Sequence, residues 1–414
     1  MLYKFQEEAL ICSAPLNKVA YYYDMGLGKT FIGAEKMVRL DEEINLIVCQ
    51  KSKVDDWVNH CKLYTGFKVY NLTKTSSIQK YIHDDTQRVG IINYDLIWRR
   101  EELTDFIRKN HVTLMLDESS LIQNERTKRS KTILNLDPDN VILLSGTPVS
   151  GKYEKIWSQV KLLGWKISKK EFWDKYVKYH ELDMGTGFPI KVVDGYKNVY
   201  ELRLNLRKHG AFFMKTEEAY DLPKQTFVNV KIPMTKDYKR FKKTGVLEDK
   251  NYIGDTVFKQ MLYERRLASS DDKYKAFEDL LNSTEDRVIV FYNFMDEAEK
   301  LSKIIKKTGR TISEVSGNVY TLRNYEEHDD SVTLIQYQAG SMGLNLQKAN
   351  KIVYFSPPVS CDLWMQSKKR IHRIGQEKTC IYYKFAMRNS IEEKIYESLE
   401  RGEDFTDRLF RKTT

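Results

Sequence analysis

Short apolar runs, separated by longer and more polar stretches of helical character, constrain this chain more than any other feature. In the first 150 residues the runs are Lys18–Tyr23, Ile44–Cys49 and residues 89–92, 112–116 and 141–144. Unalternating runs of that length predict strands buried on both faces. Residues 30–40 and 54–63 between them read as crossover helices, so this half predicts a parallel sheet. The same grammar returns downstream, with strands at Val288–Tyr292 and residues 332–335, 352–355 and 381–385, and helices at 274–281, 296–307 and 391–399. No direct repetition links the halves. The expectation is an α/β chain with two sheets of one class, in keeping with a length of 414 residues.

Residues 151–270 differ, being rich in Lys and aromatics, and read as mainly helical with one extended stretch at 226–232. The expected division is 1–150, then a basic insertion, return and linker at 151–254, then 255–414, with the changeover somewhere in 225–255. Formal net charge is +10, and residues 151–250 alone carry 22 Lys and Arg against 13 Asp and Glu. Charge alone reads equally as a surface for a polyanion or as a solvated face. Trp157, Trp165, Phe172, Trp173 and Tyr176 have the spacing of helix core, with base stacking as the alternative. The five cysteines form no C-x-x-C pair, which argues against a disulfide framework or a zinc module. No stretch approaches the ~18–20 apolar residues of a membrane span, and the N-terminus lacks a secretory core, so no membrane role and a cytoplasmic location are expected.

The chemistry sits where strands end, the usual ligand side of such sheets. The first run leads into Asp24-Met-Gly-Leu-Gly-Lys-Thr30. Gly26 and Gly28 let the backbone curl around phosphate oxygens, Lys29 can neutralise them, and the Thr30 hydroxyl can ligate Mg²⁺. The full phosphate-loop pattern wants Gly where Tyr23 stands, so this is a relaxed form. The run at 112–116 ends in Asp117-Glu-Ser-Ser120, which supplies a metal-binding carboxylate at Asp117 and a group to orient or deprotonate water at Glu118. The run at 141–144 ends in Ser145-Gly-Thr-Pro148, a hydroxyl-bearing turn. Far downstream lies Gln366-Ser-Lys-Lys-Arg-Ile-His-Arg-Ile-Gly-Gln376. If that segment is helical, Arg370 and Arg373 share a face and can converge on a phosphoryl group.

In this order the motifs resemble superfamily-two helicases, and their wording resembles the Swi/Snf-like branch, the DNA translocases related to chromatin remodellers. Gly343-Leu-Asn-Leu346, Ile391-Glu-Glu-Lys-Ile395, Phe213-Met-Lys-Thr216 and Ile91-Ile-Asn-Tyr-Asp95 are also similar to that branch, and the likeness runs through the whole chain. It implies two RecA-like lobes, each a parallel sheet flanked by helices, with a mainly helical insertion between them. It implies ATP and Mg²⁺ as cofactors. Gln6 would contact adenine; Gly26, Gly28, Lys29 and Thr30 would hold phosphates and Mg²⁺; Asp117 and Glu118 would serve metal and water. Gln366, Arg370 and Arg373 would reach the nucleotide from the second lobe. Gly340, Gly343 and Asn345 would link the nucleotide to the DNA track, and Lys51, Tyr94 and Thr147 would contact a strand.

The function so implied is an ATP-dependent motor on double-stranded DNA that remodels DNA or protein–DNA complexes. RNA remains a possible partner, protein partners are unspecified, and a monomer is expected. The alternatives are a strand-separating DNA or RNA helicase, and a nucleotide-gated nucleic-acid-binding protein with vestigial hydrolysis. Two departures stand out. The family's Asp-Glu-Ala-His box ends here in Ser119-Ser120, so the coupling served by its His must use Ser120 or another group, and the usual Arg-Arg before the linker reads Met214-Lys215. The chain's short extent suggests a stripped-down motor of a bacterium or a phage-infected host cell.

Overall fold

The computed structural model describes residues 2–149, 152–182, 190–339 and 344–402. The chain divides into two compact units, residues 1–219 and 220–414.

In the first unit the strands are β1 (Lys18–Tyr23), β2 (Ile44–Cys49), β3 (Lys68–Asn71), β4 (Arg88–Asn93), β5 (Thr113–Asp117), β6 (Asn140–Leu144), a hairpin of β7 (Val177–Leu182) and β8 (Ile190–Tyr196), and β9 (Ala211–Met214). Seven of them form one sheet in the order β3-β4-β2-β5-β6-β1-β9. Every pairing in it is parallel. β2, β4 and β6 are buried along their whole length, which explains why their apolar residues show no alternation. β9 is not legible in the sequence as a strand, because it is four residues long at the sheet edge beside β1.

The basic middle segment is only partly helical. The helix Lys169–Tyr176 opens on a capping box in which Ser168 Oγ accepts from Glu171 N and Glu171 returns a bond to Ser168 N. It runs straight into the antiparallel pair β7–β8. Phe172 and Tyr176 are fully buried, and Trp157, Trp165 and Trp173 pack against the same core, so these aromatics serve packing.

The second unit holds β10 (Gln225–Ile232), a small hairpin β11 (Val246–Leu247) and β12 (Tyr252–Ile253), then β13 (Val288–Tyr292), β14 (Ile312–Val315), β15 (Tyr320–Thr321), β16 (Val332–Gln336), β17 (Lys351–Tyr354) and β18 (Cys380–Met387). The sheet order is β10-β18-β17-β13-β16-β14-β15, parallel except for the terminal β14–β15 pair. Alternate residues build two separate cores. Ile289, Phe291, Ile352 and Tyr354 pack with Trp364, Ile395 and Leu399, whereas Val288, Val290, Val353 and Phe355 pack with Phe277, Leu281, Leu301 and Ile305. β10 pairs with β18 over its full length, from Gln225↔Cys380 to Ile232↔Met387. That pairing draws residues 220–254, read from sequence as return and linker, into the second unit. The surplus positive charge of 151–250 is therefore split between the units, five before residue 220 and four after.

One buried ion pair braces this unit. Lys273 Nζ donates to Glu392 Oε1 at 2.5 Å, both side chains being withdrawn from solvent, and Glu392 Oε2 accepts from Met387 N at 3.0 Å. Burial raises the Glu392 pKa, and the nearby Lys273 cation opposes that rise. Lys273→Met is expected to cost ~3–5 kcal/mol of stability, because it strands a buried carboxylate. Adding Glu392→Leu should recover most of the loss in a thermal melt, and a single variant that melts like wild type would contradict this.

Among the described residues no helix is long and apolar enough to cross a membrane.

Candidate functional site

The first unit brings three turns to one sheet edge. β6 lies between β5 and β1, so the loop after β1, the Ser-Gly-Thr-Pro turn after β6 and the carboxylate turn after β5 are neighbours. The loop is held from several sides. Gly28 has φ +68° and caps the helix Lys29–Leu40, and Gly26 has φ +87°. A Cβ on Gly28 would stand 2.5 Å from Gln6 Nε2, so this position takes no side chain. Gln6, on the helix Lys4–Ser13, is buried and commits its amide to the protein. Its Nε2 donates to Leu27 O at 2.9 Å and Gly28 O at 3.1 Å, and its Oε1 accepts from Tyr3 N at 2.9 Å. Asp24 Oδ2 accepts from both Thr216 N and Thr216 Oγ1 at 3.1 Å, tying the loop to the segment after β9.

Lys29 Nζ donates to Tyr23 O at 2.9 Å and Asp24 O at 3.3 Å. A Cβ on Gly146 would lie 3.4 Å from the same nitrogen, so the ammonium rests between the glycine loop and the Ser-Gly-Thr-Pro turn. Thr30 follows in the first helical turn, half-buried.

Asp117 ends β5. Burial raises its carboxyl pKa, while the Trp57 hydrogen bond and the Lys29 and Lys53 charges pull it down. Trp57 Nε1 donates to Asp117 Oδ2 at 2.8 Å. The indole is buried and orients this carboxylate. Glu118 follows with φ +53°.

The remaining strand ends carry the residues expected to touch nucleic acid. Lys51 is exposed after β2 and lines an open cleft of about 460 Å³ with Asn71, Thr73, Asn93 and Arg99. Thr147 is half-buried, its N–H donating to Ser145 Oγ at 3.3 Å. Tyr94 is buried, and its hydroxyl donates to Asp117 O at 2.9 Å. Its ring therefore supports the carboxylate turn and is not presented to a strand.

In the second unit the helix Cys361–Lys368 carries Gln366 and stops before the arginines. The shared helical face expected for Arg370 and Arg373 is replaced by a turn. Its closure comes from Gln376, whose Nε2 donates to Ala349 O at 2.8 Å, Gln347 O at 3.1 Å and Ile371 O at 3.2 Å, and from Gly375 at φ +88°. Arg373 Nη1 donates to Leu344 O at 3.3 Å, and Arg370 O accepts from Leu346 N at 3.2 Å. Asn345, on that partner loop, is exposed. Gly340 and Gly343 lie outside the described residues.

A family profile for the SNF2-related domain matches residues 22–287, more than half of the chain, and one for the helicase conserved C-terminal domain matches residues 272–375. The chain belongs to the SNF2-related family. This SNF2-related chain is 23% identical over 428 residues to the ISWI chromatin-remodeling complex ATPase ISW2 of Saccharomyces cerevisiae, covering 90% of the chain and 37% of that protein. It is 22% identical over 435 residues to the putative ATP-dependent helicase/translocase YwqA of Bacillus subtilis, covering 94% and 46%. The uncharacterized ATP-dependent helicase MG018 of Mycoplasma genitalium is 21% identical over 388 residues, covering 85% and 35%. The chain thus spans less than half the length of these relatives. A solved structure, the Sulfolobus solfataricus SWI2/SNF2 ATPase core in complex with dsDNA, aligns with 97% of this chain and 91% of its own at 18% identity and a TM-score of 0.46.

Proposed function

We propose that this SNF2-related chain is a DNA-dependent ATPase that couples hydrolysis to movement on double-stranded DNA and to remodelling of DNA or protein–DNA complexes. The observation that carries the reading is the meeting of Lys29, Gly146 and Asp117 at one sheet edge, where burial raises the Asp117 pKa and the Lys29 cation partly offsets that rise. A glycine loop, an ammonium and paired carboxylates are the parts that phosphoryl transfer to water requires. The relatives named as ATPases and ATP-dependent helicases point the same way.

In this reading Gly26, Gly28 and Lys29 bind the phosphates of ATP. Gln6 braces the loop from behind, and reaches adenine only by releasing the carbonyls it now holds. The Thr30 hydroxyl and Asp117 carboxylate are hard oxygen donors of the kind Mg²⁺ prefers, and when bound that ion neutralises phosphate charge. Trp57 fixes the Asp117 rotamer, and Glu118 orients the attacking water. Gln366, Arg370 and Arg373 of the second unit act on the same nucleotide, the arginines offsetting charge on the transferring group. Lys51, Thr147, Asn345, Gly340 and Gly343 belong to the nucleic-acid track.

The experiment is steady-state ATP turnover with no nucleic acid, duplex DNA, single-stranded DNA or RNA, with Glu118→Gln as the blank. Stimulation mainly by duplex is the expected result. Stimulation mainly by single strands would favour the strand-separating reading. Absence of turnover in every condition would overturn the ATPase reading.

Grips on the phosphate backbone should make binding sequence-tolerant and salt-sensitive. The helix Lys236–Thr244 buries Tyr238 and Phe241 and exposes Lys239, Arg240 and Lys243 on its other side. Replacing those three cations by Gln is expected to lower the slope of log affinity against log salt by about one for each phosphate they neutralise. An unchanged slope would make this face merely solvated.

A further inference from the structure

The carboxylate turn and the Ser-Gly-Thr-Pro turn end neighbouring strands, but the β5–β6 pairing stops at Asp117↔Leu144. Beyond that point no strand pairing holds the two turns in register. A side chain outside both motifs spans the gap. Gln159, on the short helix Trp157–Leu162, is wholly buried. Its Nε2 donates to Pro148 O at 2.9 Å, and its Oε1 accepts from Ser119 Oγ at 2.7 Å and Tyr22 OH at 3.0 Å. A carbonyl can only accept, so the bond to Pro148 fixes which way the amide points. That in turn makes both hydroxyls donors.

The three partners are not arbitrary. Ser119 follows Glu118, Pro148 closes the Ser-Gly-Thr-Pro turn, and Tyr22 precedes the residue whose carbonyl holds Lys29. One buried amide therefore touches two of the turns and the strand that leads into the third. Gln123, just past the carboxylate turn, donates a second bond to Pro148 O at 3.2 Å. A network of this kind, buried and mutually satisfied, is stiff, and displacement of one member must be felt by the others.

We infer that Gln159 is a positioning residue that locks the carboxylate turn to the Ser-Gly-Thr-Pro turn, so that nucleotide occupancy beside Asp117 and Glu118 is conveyed to Thr147. The inference rests on the ATPase reading above and deepens it. It also answers the altered motif. Where the family's box ends in Ala-His, this chain has two serines, and Ser119, fully buried, makes the link through Gln159. The sequence alone leaves that coupling to Ser120 or another group.

The test is backbone hydrogen exchange of the full chain with and without ADP and Mg²⁺, which needs neither turnover nor DNA. In wild type, nucleotide is expected to slow exchange both at residues 24–30 and at residues 145–149. In Gln159→Leu the response at 24–30 should persist, while that at 145–149 should fall by at least ~5-fold, the lower end of ordinary coupling between sites. Both responses persisting in Gln159→Leu would overturn the inference and leave Gln159 a packing residue. No response at 24–30 in wild type would overturn the nucleotide reading itself, and the inference with it. Because Gln159→Leu strands two buried hydroxyls, those of Ser119 and Tyr22, Ser119→Ala/Gln159→Leu, which removes one of them, is the companion variant. It is expected to melt closer to wild type and still lack the response at 145–149, and return of that response would also overturn the inference.

Discussion

Glu118→Gln is expected to lower ATP turnover by ~10²–10⁴-fold, the usual worth of a positioned base, while nucleotide binding survives. Six non-glycine residues adopt positive φ among those described, and five are Asp or Asn, which tolerate that region. Glu118 is the exception. A longer side chain held there is strained, and such strain persists where the surroundings enforce it. The enforcement is visible. Tyr94 OH bonds Asp117 O, Leu121 N donates to Glu118 O at 2.9 Å, and Ser119 is held through Gln159. Gln keeps the shape and removes the charge, so the backbone has no reason to move. Steady-state turnover beside a nucleotide-binding titration separates the two effects. Wild-type turnover in the variant would remove Glu118 from the chemistry, and loss of binding would make its charge part of ground-state recognition.

Much of this site is legible in the sequence because its parts are local. A glycine loop after a buried strand, and a carboxylate pair after another, each declare themselves within a few residues. Their meeting follows once the runs are read as one parallel sheet. What stays hidden is non-local. Trp57 lies 60 residues from Asp117 and Gln159 lies 40 from Ser119. Nothing in the neighbourhood of either says what it will touch. Tyr94 reads as outward because its motif does, yet its hydroxyl turns in beneath Asp117.

The fold shows the same division. β2, β5, β6, β13 and β17 stand out because burial on both faces writes an apolar run. β3, with an exposed first residue and half-buried remainder, writes none. β7 and β8 follow a helix in an aromatic, Lys-rich stretch whose periodicity favours helix. The extended character of β10 is clear, but its sheet is decided by pairing with β18, about 150 residues away.

Arg373→Ala is expected to reduce turnover by ~10³-fold or more, the range for an arginine acting on a transferring phosphoryl group. The argument begins with what holds the side chain. The turn carrying it depends on the carbonyls that Gln376 bonds and on the positive φ of Gly375, a backbone brace independent of the arginine itself. Removing the guanidinium should therefore leave the turn folded. Burial lowers the Arg373 pKa, but a guanidinium remains charged at any working pH, so the group is a partly desolvated permanent cation. Such a charge is worth most where negative charge develops in a site that excludes water. Its one described bond, to Leu344 O at 3.3 Å, is long and is to a neutral acceptor, which leaves most of its donors for a better partner. Arg373→Lys should not rescue, since an ammonium cannot reproduce the planar fork. Gln376→Ala, which loosens the turn and keeps the arginine, should give a smaller loss. Single-turnover rates with bound ATP discriminate the possible roles. If Arg373→Ala weakens ATP binding but keeps the rate per bound ATP, the residue clamps the ground state. If affinity holds and the rate collapses, it acts on the transition state.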